Sequence, residues 1–221
     1  QRRLFGAEIL GVSTKSILIG EDKLLTSEFL NNAGLPSPWT LSASLETMPS
    51  EFPCIYKPRV SSGSRGVAIC RDLRDAQYFA TLPTEGVFQE LLLPDDKEIT
   101  CAVYRDRSGN IAVLAMLRKI AGGVSTWVKT IKNEAIELQC NKIAENLDHH
   151  GPLNIQMRLT ERGPRVFDIN PRISSTVEMR DKLGFSDLRW LLDEAEGLEV
   201  SYPEIAPGIV VVRTHSATLV Q

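Results

Sequence analysis

Four oxygen-bearing side chains recur at alternating positions late in the chain: Asn154 and Gln156 in Asn154-Ile155-Gln156, then Asp168 and Asn170 in Asp168-Ile169-Asn170-Pro171-Arg172. The runs 153–159 and 165–170 alternate apolar and polar residues around Thr160-Glu161-Arg162-Gly163-Pro164, which has turn chemistry. The pattern predicts a β-hairpin with a loop of about five residues. Asn154, Gln156 and Arg158 then share one face, opposite Leu153, Ile155 and Met157, while Asp168 and Asn170 share a face opposite Phe167 and Ile169. A loop centred on Arg162 sets Gln156 across from Asp168 and Asn154 across from Asn170, with Cβ atoms roughly 4.5–5.5 Å apart. Carboxylate and carboxamide oxygens are hard ligands suited to Mg²⁺ holding a phosphate chain, and Arg172 adds a guanidinium just beyond. Polar alternation by itself describes a solvated hairpin face at least as well, so the residues upstream must decide.

Upstream, Lys57-Pro58-Arg59-Val60-Ser61-Ser62-Gly63-Ser64-Arg65-Gly66-Val67 joins short apolar strands expected at 53–56 and 67–70. Such a loop can curl backbone N–H groups around phosphate oxygens, with Lys57 as a point charge and Arg65 as a fork. No Gly-Lys-Ser/Thr ends it and no helix follows directly, which excludes a Walker loop. The order of parts is loop, then Gln89-Glu90-Leu91-Leu92-Leu93 and Glu98, then the Asn-x-Gln … Asp-x-Asn-Pro-Arg hairpin. This order, over about 22 to 197, resembles the ATP-grasp superfamily, and its ending looks most like the carbamoyl-phosphate-synthase-like branch.

The resemblance implies an α+β fold in which two antiparallel sheets grip ATP between them, and it implies roles position by position. Lys23, at a helix N-terminus where a cation is mildly disfavoured, would reach toward the nucleotide. Lys57 would contact the α-phosphate, and Ser61, Ser62, Gly63, Ser64, Arg65 and Gly66 would form a flexible lid loop. Gln89, Glu90 and Leu92 fall on the hinge strand that reads the adenine edge. Glu98 matches the ribose-binding acid, with Asp96 a rival because Pro94-Asp95-Asp96-Lys97 looks like a small insertion. Arg118 matches a basic position facing the phosphates, or is a strand-end arginine in solvent; Ser125 and Thr126 would shape the acceptor pocket. Gln156, Asp168 and Asn170 would be the metal ligands, supported by Asn154, with Arg172 aimed at the transferred phosphoryl group. The family usually has Glu at the Asp168 position, so this set carries a single formal negative charge, and one or two Mg²⁺ ions (Mn²⁺ as a substitute) are expected to bind together with ATP.

The elements that must position these residues follow from periodicity and caps. A helix is expected at 23–32, capped by Asp22 and stopped by Gly34 and Pro36; a second at 73–82 follows Asp72. Residues 87–93 read as a central strand, and Leu91 and Leu93 as core. Strands at 98–104 and 111–117 turn over at Asp106-Arg107-Ser108-Gly109-Asn110, and 133–148 is an amphipathic helix. Helices near 176–183 and 187–196 each end at a glycine, and an apolar strand at 209–212 follows. Residues 1–11 look like the tail of a larger structure, 1–6 as the last turn of a helix. The expected division is 1–21 as a remnant or linker, 22–93 as a small lid subdomain with its leading helix, and 94–221 as a large subdomain carrying the metal site.

Composition fits a protein of the cytoplasm. Across 221 residues the net charge is −3, so there is no basic field to hold nucleic acid or an anionic membrane. No apolar run is long enough to span a bilayer, and no signal peptide is expected at the start. Cys54, Cys70, Cys101 and Cys140 lie singly in expected strands and a helix, without metal-finger spacing, and read as buried free thiols. His149-His150 sits at a helix C-terminus where a cation would suit the dipole, His215 has no evident partner, and Trp39, Trp127 and Trp190 read as packing residues.

By resemblance the leading function is an ATP- and Mg²⁺-dependent ligase. It would activate a carboxylate as an acyl phosphate for attack by an amine or similar nucleophile, both small molecules. The alternatives are phosphorylation of bicarbonate or carbamate, and a nucleotide-binding module without turnover. The family's extra α/β domain before the helix near Asp22 is reduced here to a short lead, which suggests a fragment, a partner chain supplying that domain, or a homodimer.

Overall fold

Alternating side chains need two faces to bury, and here they build two antiparallel sheets. The computed structural model describes residues 3–4, 7–8, 12–61, 63 and 65–214. In chain order its elements are β1 (Arg3–Leu4), β2 (Ala7–Glu8), α1 (Thr14–Glu21), α2 (Lys23–Asn32), β3 (Thr40–Ser42), β4 (Cys54–Pro58), β5 (Ala68–Cys70), α3 (Leu73–Ala80), β6 (Gly86–Glu90), β7 (Glu98–Arg105), β8 (Ile111–Ala121), β9 (Val124–Ile131), α4 (Glu134–Asn146), β10 (Gly151–Thr160), β11 (Gly163–Asn170), α5 (Val177–Asp181), α6 (Asp187–Ala195) and β12 (Val210–Val212). The larger sheet runs β11-β10-β7-β8-β9-β12 and the smaller β3-β6-β4-β5, while β1 and β2 form a separate pair. That pair replaces the helix turn expected at 1–6; its side chains, and residues 62, 64 and 215–221, lie outside the described residues.

One face of the larger sheet is apolar throughout. Cys101, Val103, Leu153, Ile155, Met157 and Ile169 pack under α2 and α4, which contribute Leu30, Ile136, Cys140 and Ile143. The helix α2 is thus tied to the larger sheet, although it precedes the smaller sheet in sequence. The opposite face is divided. Toward one end Ala102, Tyr104, Leu114 and Met116 meet Met179, Phe185 and Trp190 of the α5–α6 region. Toward the other end the same face carries Glu98, Thr100, Arg118, Gln156 and Asp168, and it is left open to the smaller sheet. Tyr56, Phe88, Cys54 and Cys70 form the smaller sheet's own core with α3.

The caps form as their chemistry requires. Asp22 accepts from the backbone N–H groups of Leu24 and Leu25, Asp72 from Arg74 and Asp75, and Asn133 from Ile136. Asp22 also ends a helix that periodicity does not announce, α1, whose buried residue is Ser16 while Leu18 is 55% exposed. An inverted polarity of that kind hides a helix from pattern reading. α1 lies close on the end of β11: a Cβ on Gly20 would sit 2.4 Å from Pro171 Cδ and 2.7 Å from the Ile169 carbonyl oxygen.

The hairpin departs from expectation in an instructive way. Its loop is a two-residue turn, Glu161-Arg162, with Gly163 at φ +88° and Thr160 opposite Gly163. A tight turn of that register would pair Gln156 with Phe167. Instead the register shifts between Gln156 and Met157, which oppose Asp168 and Val166. Phe167 is the extra residue of a bulge, and the expected pairs Gln156–Asp168 and Asn154–Asn170 are recovered. The bulge turns Phe167 toward the cleft, not away from Asp168 as alternation predicts.

Other expectations are corrected by packing. β6 stops at Glu90, and Leu93 is 58% exposed while Leu92 is buried. Arg118 is not at a strand end, because β8 continues to Ala121. The thiols are free and buried but come in two pairs: Cys54 faces Cys70 across β4–β5, and Cys101 hydrogen-bonds with Cys140. His149 is buried with Nε2 2.9 Å from the Pro152 carbonyl oxygen, and burial lowers its pKa to about 4. It is therefore neutral and no helix-dipole cation. Trp190 packs as expected, in edge contact with Tyr104 and Phe185.

Candidate functional site

The open end of the larger sheet and the facing side of the smaller one enclose a cleft of about 520 Å³. That is within the range of small-molecule sites. Of the residues singled out from sequence, it gathers Lys23, Lys57, Ser61, Gly63, Gln89, Glu90, Leu92, Glu98, Arg118, Asn154, Gln156, Asp168, Asn170 and Arg172. Ser62 and Ser64 lie outside the described residues. Arg65 and Gly66 are exposed and do not line the cleft, nor do Asp96, Ser125 and Thr126. Asp95 lines it in place of Asp96.

The smaller-sheet wall presents two lysines. Lys57, next to last in β4, donates to Gln89 Oε1 at 2.7 Å, with its amino nitrogen 5.0 Å from the Phe167 ring centre. Gln89 is held by donating to Thr40 Oγ1 at 3.0 Å. A neutral amide and a ring face compensate an ammonium poorly, and burial lowers the Lys57 pKa to about 8 although Asp168 pulls the other way. Lys23 is placed by the junction of α2 and β4: Arg59 donates to the Asp22 cap at 2.8 Å, and the Lys23 backbone N–H to the Arg59 carbonyl at 3.1 Å. Its ammonium donates to the carbonyl and hydroxyl oxygens of Ser61, both at 3.1 Å. Burial lowers the Lys23 pKa as well, opposed by Asp168 and Asp22.

The larger-sheet wall carries two hydrogen-bonded polar groups. Glu98 accepts from Arg118 Nη2 at 2.5 Å and Nε at 3.0 Å on one oxygen, and from Arg158 Nη2 at 2.7 Å on the other. Arg118 also donates to Gln156 Oε1 at 2.9 Å, and Gln156 donates to Asn154 Oδ1 at 3.3 Å. Asn154, which is 3% exposed, donates to Thr100 Oγ1 at 2.7 Å. On β11, Asn170 donates to Asp168 Oδ2 at 2.6 Å and accepts from Arg172 at 2.9 Å. Glu90 is ion-paired with Arg162 of the hairpin turn, which ties the end of β6 to β10–β11.

Several lining residues carried no signal in the sequence. Phe167 enters through the bulge, Ile120, Gly123 and Val124 through the β8–β9 turn, and Ser174, Ser175 and Thr176 through the connection to α5. Thr100 was within reach of alternation, two residues from Glu98. Among the described residues no group of three or more His, Cys, Asp or Glu side chains gathers as a metal site, and no helix is long and apolar enough to cross a membrane. Metal-holding capacity therefore rests on Asp168 with amide oxygens. A carboxylate has about four lone-pair directions and an amide oxygen two, so the hydrogen bonds from Asn170, Arg118 and Arg172 leave acceptor capacity for one hard cation.

The chain is similar to known proteins in sequence and in fold. A family model described as "ATP-grasp in the biosynthetic pathway with Ter operon" matches residues 88–217. The carbamoyl phosphate synthase large chain of Methanospirillum hungatei is 28% identical over 202 residues, covering 81% of this chain and 19% of its own length. The chain thus spans about a fifth of that relative. Among solved structures, N5-carboxyaminoimidazole ribonucleotide synthetase from Thermus thermophilus aligns with a TM-score of 0.74 at 19% identity, over 90% of this chain and 57% of that one. The biotin carboxylase domain of Hydrogenobacter thermophilus 2-oxoglutarate carboxylase, in complex with MgADP, ADP and bicarbonate, aligns with a TM-score of 0.74 at 17% identity, over 93% and 52% of the two chains. At such identities these structures speak for the fold. With the family model covering more than half of its length, the chain belongs to the ATP-grasp family.

Proposed function

We propose that the cleft binds Mg²⁺-ATP and that the protein is a ligase activating a carboxylate as an acyl phosphate. The observation carrying this reading is the opposition of two partly desolvated lysines, Lys23 and Lys57, to the single carboxylate Asp168 across a nucleotide-sized cleft. Lysines whose charge is held at a cost by burial gain most from an incoming polyanion. Lys57 and Lys23 would bind the phosphate chain, Ile55 and Leu92 would flank the base, and Gln89–Glu90 would present the backbone edge of β6. Glu98, with both oxygens held by arginines, would set Arg118 toward the phosphates and offer its remaining lone pairs to the ribose. Asp168, Asn170 and Gln156 would hold Mg²⁺, which when bound draws charge from the phosphate oxygens.

In the reaction a substrate carboxylate oxygen forms a bond to the γ-phosphorus as the bond to ADP breaks. An amine then attacks the acyl carbon, phosphate leaves, and the nitrogen loses a proton. Arg172 and Arg118 stabilise the transferring group by position and charge, with no side chain covalently modified. Both substrates are small molecules, and the buried thiols suit a reducing cytoplasm. The lone carboxylate also favours a second reading, a module that holds nucleotide without turnover. Calorimetry of ATP binding with and without Mg²⁺, on this chain and on Asp168→Asn, followed by phosphate release across carboxylates, tests both. Mg²⁺-dependent binding lost in the variant, with release, supports the ligase. Mg²⁺-independent binding supports the module, and no binding by the folded chain sinks both.

A further inference from the structure

Among the described residues the largest fully buried side chain is charged, and it lies behind the cleft. Arg180, on α5, is 1% exposed. It donates from Nε and Nη2 to the two carboxylate oxygens of Asp187, at 3.0 and 2.5 Å. Its Nη1 donates to Ser174 Oγ at 2.7 Å and Thr176 Oγ1 at 3.0 Å, and those two hydroxyls lie 2.8 Å apart. Asp187, at 1% exposed, is as buried as its partner. A buried pair of this kind is a poor way to gain stability, since apolar residues of similar volume commonly do as well or better. What it fixes here is the connection 171–176. Ser174, Ser175 and Thr176 line the cleft, and Arg172 stands at the start of the same segment. The segment is held from its other side too: Arg213 donates to the Ser175 carbonyl at 2.5 Å and to the Ser125 carbonyl at 3.1 Å.

We propose that Arg180 is a positioning residue: through Ser174 and Thr176 it holds the 172–176 segment so that Arg172 faces the phosphate end of the cleft. The functional half of this inference rests on the Mg²⁺-ATP reading above; the structural half does not. Arg180 touches no ligand itself, and its effect reaches the site only through the segment. The α5–α6 pair is thereby part of the site's support as well as the lid on the Tyr104–Trp190 core.

The test uses two double variants of the full chain. Arg180→Met with Asp187→Leu removes both charges and keeps volume; Ser174→Ala with Thr176→Val leaves the ion pair and removes its grip on the segment. Hydrogen exchange is read at the Arg172 and Val177 amides, whose acceptors are the Asn170 carbonyl at 2.8 Å and the Ser174 carbonyl at 3.1 Å. Both variants are expected to speed exchange there roughly tenfold or more, while protection in β7 and β10 stays at the wild-type level. In parallel the preference for Mg²⁺-ATP over Mg²⁺-ADP is measured, and is expected to fall to that of Arg172→Ala. Unchanged exchange in a folded variant overturns the proposal, as does exchange that rises equally throughout the molecule, which marks a purely structural pair. Failure of the wild-type chain to bind either nucleotide would refute the Mg²⁺-ATP reading and the functional half with it, while the exchange result would still decide whether Arg180 holds the segment.

Discussion

On the larger sheet Arg118 and Arg158 share Glu98, Gln156 leans on Asn154, and Asp168, Asn170 and Arg172 form a chain; across the cleft Lys57 rests on a neutral amide and a phenyl ring. The first wall is compensated internally, charge against charge, so its geometry is set before any ligand arrives. The second holds charge that its surroundings do not repay, so its electrostatics are completed by whatever enters. A rigid floor opposite an undercompensated cationic wall is an arrangement that spends little reorganisation on binding an anion. The connections differ in the same sense. The floor is stitched across three neighbouring strands, while Lys23 meets it through the field of Asp168 and Lys57 through the fields of Asp168, Glu98 and Arg158 and the ring of Phe167.

The sharpest way to break this contrast is at Asp168, the floor carboxylate whose field reaches both lysines. Asp168→Asn should lower Mg²⁺-dependent ATP affinity on the order of 100-fold, with little change in folding, because the amide can keep its hydrogen bonding with Asn170. Equal affinity in calorimetry would mean that the floor holds no metal. Next comes Gly20→Ala, which pushes a methyl into Pro171 and the Ile169 carbonyl. Overpacking there should cost about 1–3 kcal/mol in denaturant unfolding and weaken Mg²⁺-ATP binding, since it displaces the end of β11. Lost stability with intact binding would show that the floor tolerates movement.

Glu98→Gln leaves the shape of the floor but unbalances two arginines, and should destabilise by about 2 kcal/mol in thermal or denaturant unfolding. An unchanged midpoint would mean that the Glu98 group is not compensated as described. The last test, on the other wall, is read only as a dependence on pH. Burial places the Lys57 pKa at about 8 in the fold against 10.5 in its absence, so between those values the unfolded chain binds more protons. Stability contributed through Lys57 therefore rises as pH increases from about 8 to 10.5. Thermal melts of Lys57→Met across that window should lack this rise relative to the wild type, and parallel curves would show that the lysine is solvated after all.

Much of this molecule was legible because it is local. Caps at Asp22 and Asp72, the alternation through 153–159 and 165–170, and glycines at positive φ after α5 and α6 depend on neighbours a few residues away. The motif order carried the family and hence the two-sheet fold. The Gln156–Asp168 pairing was anticipated too, although from a five-residue loop; the actual two-residue turn needs the bulge at Phe167 to reach the same register. Nothing in the sequence marks that bulge, because a single unpaired residue alters no pattern until the partner strand is present. α1 was hidden for a related reason: it meets α2 and β11 through Ser16, Ile19 and Gly20 while Ile17 and Leu18 are exposed, so its buried side shows only once those partners are in place.

What only the tertiary structure decided are the charges. Lys57 meets Gln89 from 32 positions away, and Glu98 is shared between Arg118 and Arg158, 20 and 60 positions away. Residue type and spacing determine which side chains point to one face, since the backbone repeats every two or every 3.6 residues. Desolvation and ion pairing depend on what the second sheet and the distant strands bring near, and that is set only when the chain has closed.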